Sequence, residues 1–306
     1  MSGLEGWASL FSWKALDWGG SWNIFHSGKK QKNATRTETV LSRRRHPCVF
    51  EASKTESFMN EHVRYHETIV STIWSPTTST RAVRVARPPE FSFRTSQAVR
   101  LLMSGPGGDT ARPMSIASSA EYDHLDFAAR WSDSDFKHSF FALRPGDRVR
   151  FAGPRGHFLL DWDRPAVFLA GGIGITPFRS MLQTMVDRSS GPPTFLVYSN
   201  RSPNDVPFQS ELDGLAAQSR NIDILHTVSH IGPDEPSTHR IGRIDATMLR
   251  KLTARLPGAV FYLAGPAGFI RTLVDALREL EIDPNDIRIE VFRGYTDDPM
   301  ALNIEQ

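Results

Sequence analysis

Ala166-Val167-Phe168-Leu169-Ala170 runs directly into Gly171-Gly172-Ile173-Gly174-Ile175-Thr176-Pro177, and a helical pattern begins at Phe178. A buried strand that breaks into glycines and then opens a helix is a physical recipe for holding a pyrophosphate. Glycines let the backbone approach phosphates without a Cβ in the way, and a helix N-terminus offers unpaired N–H groups and partial positive charge. Proline fits near the first turn, where its missing N–H has no intrahelical partner to lose. The glycine order departs from the G-x-G-x-x-G fingerprint, so taken alone the stretch also fits a plain tight turn.

A second unit of the same kind lies near the C-terminus. Ala259-Val260-Phe261-Tyr262-Leu263-Ala264 leads into Gly265-Pro266-Ala267-Gly268, and a helix is expected from Phe269 to about Leu280. Phe269, Leu273, Ala276, Leu277 and Leu280 fall at helical spacing and make one face apolar. Between the two units lie the strand candidates Thr194–Tyr198 and Ile222–Leu225, and Ile287–Phe292 closes the series. Strands alternating with helices predict a doubly wound parallel sheet with ligands at the carboxyl ends of its strands. Both glycine turns belong at that edge.

The 306 residues leave room for two domains, each with its own core. No apolar run has membrane-span length, and the N-terminus lacks the basic-then-apolar order of a secretory signal. Cys48 is the single cysteine, so the chain by itself builds neither a disulfide nor a four-cysteine cluster. If it passes electrons to an iron–sulfur centre, that centre sits on another molecule. Residues 1–50 hold eight Lys/Arg against three acids, a net +5, which leaves −3 for the rest of a chain of overall charge +2. The basic character belongs to this extension, and a nucleic-acid-binding function is not expected.

Residues 1–60 read as an appendage. Leu4, Trp7, Ala8, Phe11, Ala15, Trp18 and Trp22 recur at three- and four-residue intervals, ahead of Lys/Arg-rich polar sequence. An aromatic face with a basic tail suits peripheral docking on an anionic membrane or a partner; packing on its own domain followed by a disordered linker is the alternative. From about Arg64 to Trp162 the pattern changes to short alternating strands, among them Thr68–Val70, Ala82–Val85, Ala98–Leu102 and Arg148–Phe151. Turn signals such as Arg144-Pro145-Gly146-Asp147 separate them, as an antiparallel barrel requires. His62/His66 and His226/His230 are four residues apart but fall in strands or loops, so no metal site is expected.

Arg112-Pro113-Met114-Ser115-Ile116-Ala117-Ser118, Gly146-Asp147-Arg148-Val149, Gly153-Pro154-Arg155-Gly156-His157-Phe158, the Gly171–Pro177 loop, the Gly265–Gly268 turn and Glu290-Val291-Phe292 follow one another in a telling order. In that order the chain resembles the ferredoxin–NADP reductase superfamily over residues 64–295. The resemblance implies an α+β fold of two domains. An antiparallel Greek-key barrel over 61–163 would bind flavin, and a parallel α/β domain over 164–295 would bind NAD(P). An irregular or helical N-terminal extension, 1–60, and a polar tail, 296–306, would flank them.

By that resemblance Arg112 pairs with a flavin phosphate, Pro113 and Met114 line the flavin, and Ser115 stands beside its reactive nitrogen. Met114 replaces the usual stacking aromatic, Lys137 a phosphate-binding serine, and Thr95-Ser96-Gln97 the usual Pro-Gly-Gln. Gly171, Gly172, Ile173, Gly174, Thr176 and Pro177 resemble the dinucleotide phosphate loop. Gly265, Pro266 and Gly268 resemble the turn on which nicotinamide lies, preceded here by Ala264 where relatives carry cysteine or threonine. Glu290 and Phe292 resemble the acid and aromatic bordering the flavin, and with Ser115 they are the candidate catalytic residues. Ser199 and Arg201 resemble contacts to the 2′-phosphate of NADP, which favours NADPH over NADH, while Asp205 nearby points the other way.

The implied function is an NAD(P)H-dependent flavoprotein reductase. It would carry FAD, with FMN as the alternative, and pass electrons to a separate iron–sulfur, haem or oxygenase component or to a small acceptor. A cytoplasmic location, with docking through residues 1–50, goes with it. Two other readings stay open: a non-catalytic flavin- or nucleotide-binding module docked at a membrane, and a free-flavin reductase.

Overall fold

The structure, a computed structural model, describes residues 64–105, 108–232 and 238–292. The expected N-terminal extension and C-terminal tail lie outside these residues. The alternating segments form six antiparallel strands: β1 (His66–Thr77), β2 (Thr80–Ala86), β3 (Ala98–Gly105), β4 (Gly108–Ser115), β5 (His124–Arg130) and β6 (Arg148–Arg155), in the order β4-β3-β6-β1-β2-β5. Helix α1 (Asp135–Ala142) lies between β5 and β6, with Ser134 as its N-cap. Val70, Val83, Leu101, Phe127 and Phe151 point to one side of this sheet and share its core, while Glu67 and Ile69 stay in solvent. Past the end of β4, Ala117 N donates to Asp126 O at 2.8 Å, which draws the two outermost strands together and curls the sheet toward a barrel.

Ser96 occupies the turn position where glycine is usual in the resembling family, and it takes a left-handed φ of 69°. A side chain there costs roughly 1–2 kcal/mol. Its hydroxyl contacts the carbonyl oxygens of Thr95 and Phe158, hydrogen bonding that offsets part of the strain.

The second half is a parallel sheet. Its strands are β7 (Ala166–Gly171), β8 (Thr194–Asn200), β9 (Ile222–Val228), the short β10 (Arg240–Ile241), β11 (Val260–Pro266) and β12 (Ile287–Phe292). Their order is β10-β9-β8-β7-β11-β12, so the chain moves outward one way, returns past β7 and finishes on the other edge. Helices α2 (Thr176–Asp187), α3 (Gln209–Gln218), α4 (Ala246–Arg255) and α5 (Ala267–Glu279) cover its two faces. Phe168 and Ala170 of β7 join Phe178 and Leu212 on the α2–α3 side. Val167 and Leu169 join Leu249 and Leu273 on the other. Burial on both faces is why β7 reads as an uninterrupted apolar run.

The buried stripe of α5 is Ile270, Leu273, Val274 and Leu277, with Phe269, Ala276 and Leu280 at its margins. This shifts the face expected from the sequence. Phe269 is turned away from the stripe centre because its ring lies over Gly171 and Gly265. Among the described residues no helix is long and apolar enough to cross a membrane.

Candidate functional site

Strand β4 of the antiparallel sheet and β12 of the parallel one meet at Ser115, whose hydroxyl donates to Glu290 Oε1 at 2.6 Å. The two residues are 175 positions apart, so this contact is purely tertiary. Protein encloses the Glu290 carboxyl although the residue keeps some exposure, and burial pushes it up to about 7. The Ser115 hydrogen bond works against that rise by favouring the charged form. Strand β12 lies in register beside β11, with Glu290 opposite Ala264, Val291 opposite Gly265 and Phe292 opposite Pro266. Fold topology therefore sets Ser115, Glu290, Phe292 and the Gly265-Pro266 turn side by side. Phe292 is half-buried against the core on the α2 side of the sheet.

Below Ser115 on β4, Arg112 and Pro113 are exposed. Met114 is 8 % exposed and packs with the core of the antiparallel sheet, among Val99, Leu101 and their neighbours. Lys137 sits in the first turn of α1, and its ammonium is pushed down to about 8 by burial and by the Arg112 charge. Two cations held close enough to repel make a place where an anion is favourable. Arg112 Nη1 donates to its own chain at Ala111 O, at 2.9 Å. The cation pair and the Ser115–Glu290 pair suit a ligand with phosphate at one end and a polar ring edge at the other.

At the carboxyl edge of the parallel sheet, Gly171 pairs with Ser199, and Ala170 pairs with Ala264. The structure revises the role of the glycines. A Cβ on Gly174 would stand 2.3 Å from Ala264 O, and one on Gly171 would stand 2.9 Å from the Phe269 ring. These two glycines let the turn close onto β11 and α5, and their missing side chains are not left open to a ligand. Gly172 is different: its φ of 54° is left-handed and it is only half-buried. A 3₁₀ turn, Gly172–Ile175, separates β7 from α2, so the helix starts at Thr176 and Pro177 falls in its first turn. Ile173 is buried with them, and the Thr176 hydroxyl donates to its carbonyl at 3.2 Å. Gly268 has open space around it, with nothing within 4 Å of where a Cβ would stand.

Ser199 is half-buried at the end of β8 and Arg201 is exposed just beyond it. Asp205 does not face them as a free acid. Thr77 and Ser79 donate to its Oδ1, both at 2.7 Å, and Arg130 Nη2 donates to its Oδ2 at 2.5 Å. Burial raises this carboxyl, but the three donors outweigh it and leave it below the ordinary aspartate value. The acid that in the sequence pointed away from NADPH is committed to the antiparallel sheet.

Arg130 is the site residue that sequence reading missed. It ends β5 without any motif, yet its Nη1 lies 3.6 Å from where a Gly172 side chain would begin. Its Nε and the hydroxyl of Thr227, opposite Ser199 on β9, are buried without a hydrogen-bond partner. The Arg130 guanidinium beside a left-handed glycine suits an anionic ligand. Of the spaced histidines, His62 lies outside the described residues. His66 contacts Glu90 at 3.1 Å and His226 contacts Asp213 at 2.8 Å.

The family model described as the oxidoreductase NAD-binding domain matches residues 168–275, from β7 into α5. Ferredoxin–NADP reductase B of Sorangium cellulosum is 33% identical over 150 residues, 47% of this chain and 60% of the relative. The flavohemoprotein of Bordetella pertussis is 31% identical over 155 residues, 49% of this chain and 38% of the relative. The chain thus spans less than two thirds of the length of either. A ferredoxin NADP+ reductase from Neisseria gonorrhoeae, solved with bound FAD and NADP, superposes with a TM-score of 0.64 at 19% identity, covering 74% of this chain and 98% of that one.

Proposed function

We propose that this chain is a member of the ferredoxin–NADP reductase superfamily and an NAD(P)H-dependent flavoprotein reductase that delivers electrons to a separate acceptor. The observation that carries the reading is the Ser115–Glu290 hydrogen bond, because it seats the expected flavin strand against the strand beside the Gly265-Pro266 turn. FAD is the flavin, held by Arg112 and Lys137 at its phosphates and by Ser115 at its ring. When bound, the flavin supplies two-electron uptake from reduced nicotinamide and one-electron release to the acceptor.

The protein's own part is placement and charge. Gly172, Arg130, Ser199 and Arg201 would receive the nucleotide phosphates; Gly265 and Pro266 would seat the nicotinamide; Phe292 would border the flavin ring. With a carboxyl raised to about 7, Glu290 is about half protonated at neutral pH, and its hydrogen bond from Ser115 would place it to hold a proton beside the flavin edge. Engagement of Asp205 by Thr77, Ser79 and Arg130 keeps the carboxylate charged but pairs it within the protein, so it opposes a 2′-phosphate less than a free acid, and this favours NADPH over NADH. The acceptor is a ferredoxin-type, haem or oxygenase component. We place the protein in the cytoplasm, with residues 1–50 as a peripheral docking segment on the strength of their +5 charge and aromatic spacing.

The test is to purify the full chain and record its absorbance before and after anaerobic addition of NADPH. A yellow protein whose flavin bands bleach within the mixing time is expected. A chain that stays colourless when offered FAD or FMN, or a flavin that NADPH and NADH both leave oxidised, refutes the proposal.

A further inference from the structure

Beyond its first residue, Thr176, helix α2 carries four buried polar side chains, Arg179, Ser180, Gln183 and Thr184. Their spacing of i, i+1, i+4 and i+5 puts them on one face, and every one of them reaches the antiparallel sheet or its loops. Arg179 Nη1 donates to Ala117 O at 2.8 Å and to Asp126 Oδ2 at 3.0 Å. Ser180 Oγ donates to Ser118 O at 2.6 Å and receives Ser96 N at 3.2 Å. Gln183 Oε1 accepts from Ser119 N at 2.9 Å, and the Thr184 hydroxyl lies 2.9 Å from that of Thr95.

The partners are as informative as the helix. Ala117, Ser118 and Ser119 follow closely on Ser115, and α2 follows the Gly171–Ile175 turn directly. One helix face therefore fastens the segment leaving one half of the candidate site to the segment leaving the other. Arg179 is the centre of this seam. It is 3% exposed, its Nε and Nη2 hold Glu211 of α3 at 3.0 and 2.9 Å, and its guanidinium lies 4.8 Å from the Phe208 ring centre. Asp126, 1% exposed, is gripped from the opposite side by Arg84 at 2.8 and 3.0 Å. A lysine in place of Arg179 would keep the charge but lose the planar fork that reaches Ala117, Asp126 and Glu211 together.

We propose that Arg179 is a positioning residue, which sets the spacing between the Ser115 strand end and the glycine turn so that the two halves of the site face each other without a closing motion. This rests on the reductase reading above. Donor and acceptor atoms must meet at about 3–3.5 Å, and a 1 Å misplacement costs on the order of a hundredfold in rate.

The experiment compares wild type, Arg179→Lys and Arg179→Met as full chains with bound flavin, by stopped-flow reduction at saturating NADPH. Flavin content, KM for NADPH, and the isotope effect with NADPH deuterated at the transferred hydrogen are measured alongside. Expected for Arg179→Lys is a fall of about ten- to hundredfold in the reduction rate, a larger isotope effect, and a KM within about threefold of wild type, since geometry and not binding is altered. Arg179→Met is expected to fall further; if it does not retain flavin, Arg179→Lys carries the test alone. An unchanged rate in Arg179→Lys, or a loss confined to KM or to flavin content, overturns the proposal. Failure of the wild type itself to be reduced removes the reductase reading, and this inference with it.

Discussion

Two glycines from the two sequence motifs should respond to alanine in opposite directions. A methyl on Gly174 would sit 2.3 Å from Ala264 O, 2.5 Å from Ala264 C and 2.7 Å from Gly265 Cα. All three obstacles are backbone, and they cannot retreat: Ala264 is paired with Ala170 on one side and Glu290 on the other. Overpacking ordinarily costs about 1–3 kcal/mol, and an overlap with pinned backbone belongs at or beyond the top of that range. Gly268 is exposed in the first turn of α5, with nothing within 4 Å of an added methyl. There alanine lowers the unfolded chain's entropy and stabilises by about 0.5 kcal/mol. The assay is urea unfolding of the two variants and wild type. With a slope of about 2–3 kcal/mol/M, Gly174→Ala should lower the midpoint by about 1 M and Gly268→Ala should raise it slightly. A Gly174→Ala midpoint within about 0.2 M of wild type would falsify the packing argument for this turn.

Glu290→Gln tests the buried carboxyl. Its folded value near 7 lies above the unfolded 4.5, so its contribution to stability is complete below pH 4.5 and is lost as pH rises through about 7. That loss is about 2–3 kcal/mol, and the glutamine variant should be flatter across this window by the same amount in urea titrations at pH 4.5 and 8; parallel pH profiles count against it. Lys137, held down near 8, must be protonated to attract phosphate. Flavin affinity measured by fluorescence should therefore weaken up to about tenfold per pH unit above 8, and Lys137→Gln should remove that dependence. Asp205→Ala strands the Arg130 guanidinium and should cost about 2 kcal/mol in urea unfolding. It should leave the ratio of kcat/KM for NADPH and NADH within about threefold of wild type, because Asp205 is already committed elsewhere; a large shift in that ratio contradicts the assignment.

What could be read from the sequence was local. The run Ala166–Ala170 is apolar at every position, as a strand covered on both faces requires, and the glycines that follow mark where it turns into a helix. The same holds for Val260–Ala264 and its turn, so the parallel sheet was legible. Strands β4 and β5 were harder. β4 carries Asp109, Thr110, Arg112 and Pro113 and is polar for most of its length, because an edge strand there faces solvent. The role of each glycine was also out of reach, since a missing Cβ looks the same whether a ligand, a ring or a neighbouring strand fills the space.

Tertiary structure alone decided which distant groups meet. Asp205 reads as a charge near the nucleotide, yet three donors from residues 77, 79 and 130 claim it. Arg179, Ser180, Gln183 and Thr184 look like the solvent face of an amphipathic helix and are instead the seam between two sheets. Ser115 and Glu290 carry no local sign of each other. Periodicity and turn chemistry act over a few residues and leave their mark in neighbouring letters. Hydrogen bonds and ion pairs across the seam depend on where whole elements come to rest, and that is settled only when the cores on both sides have packed.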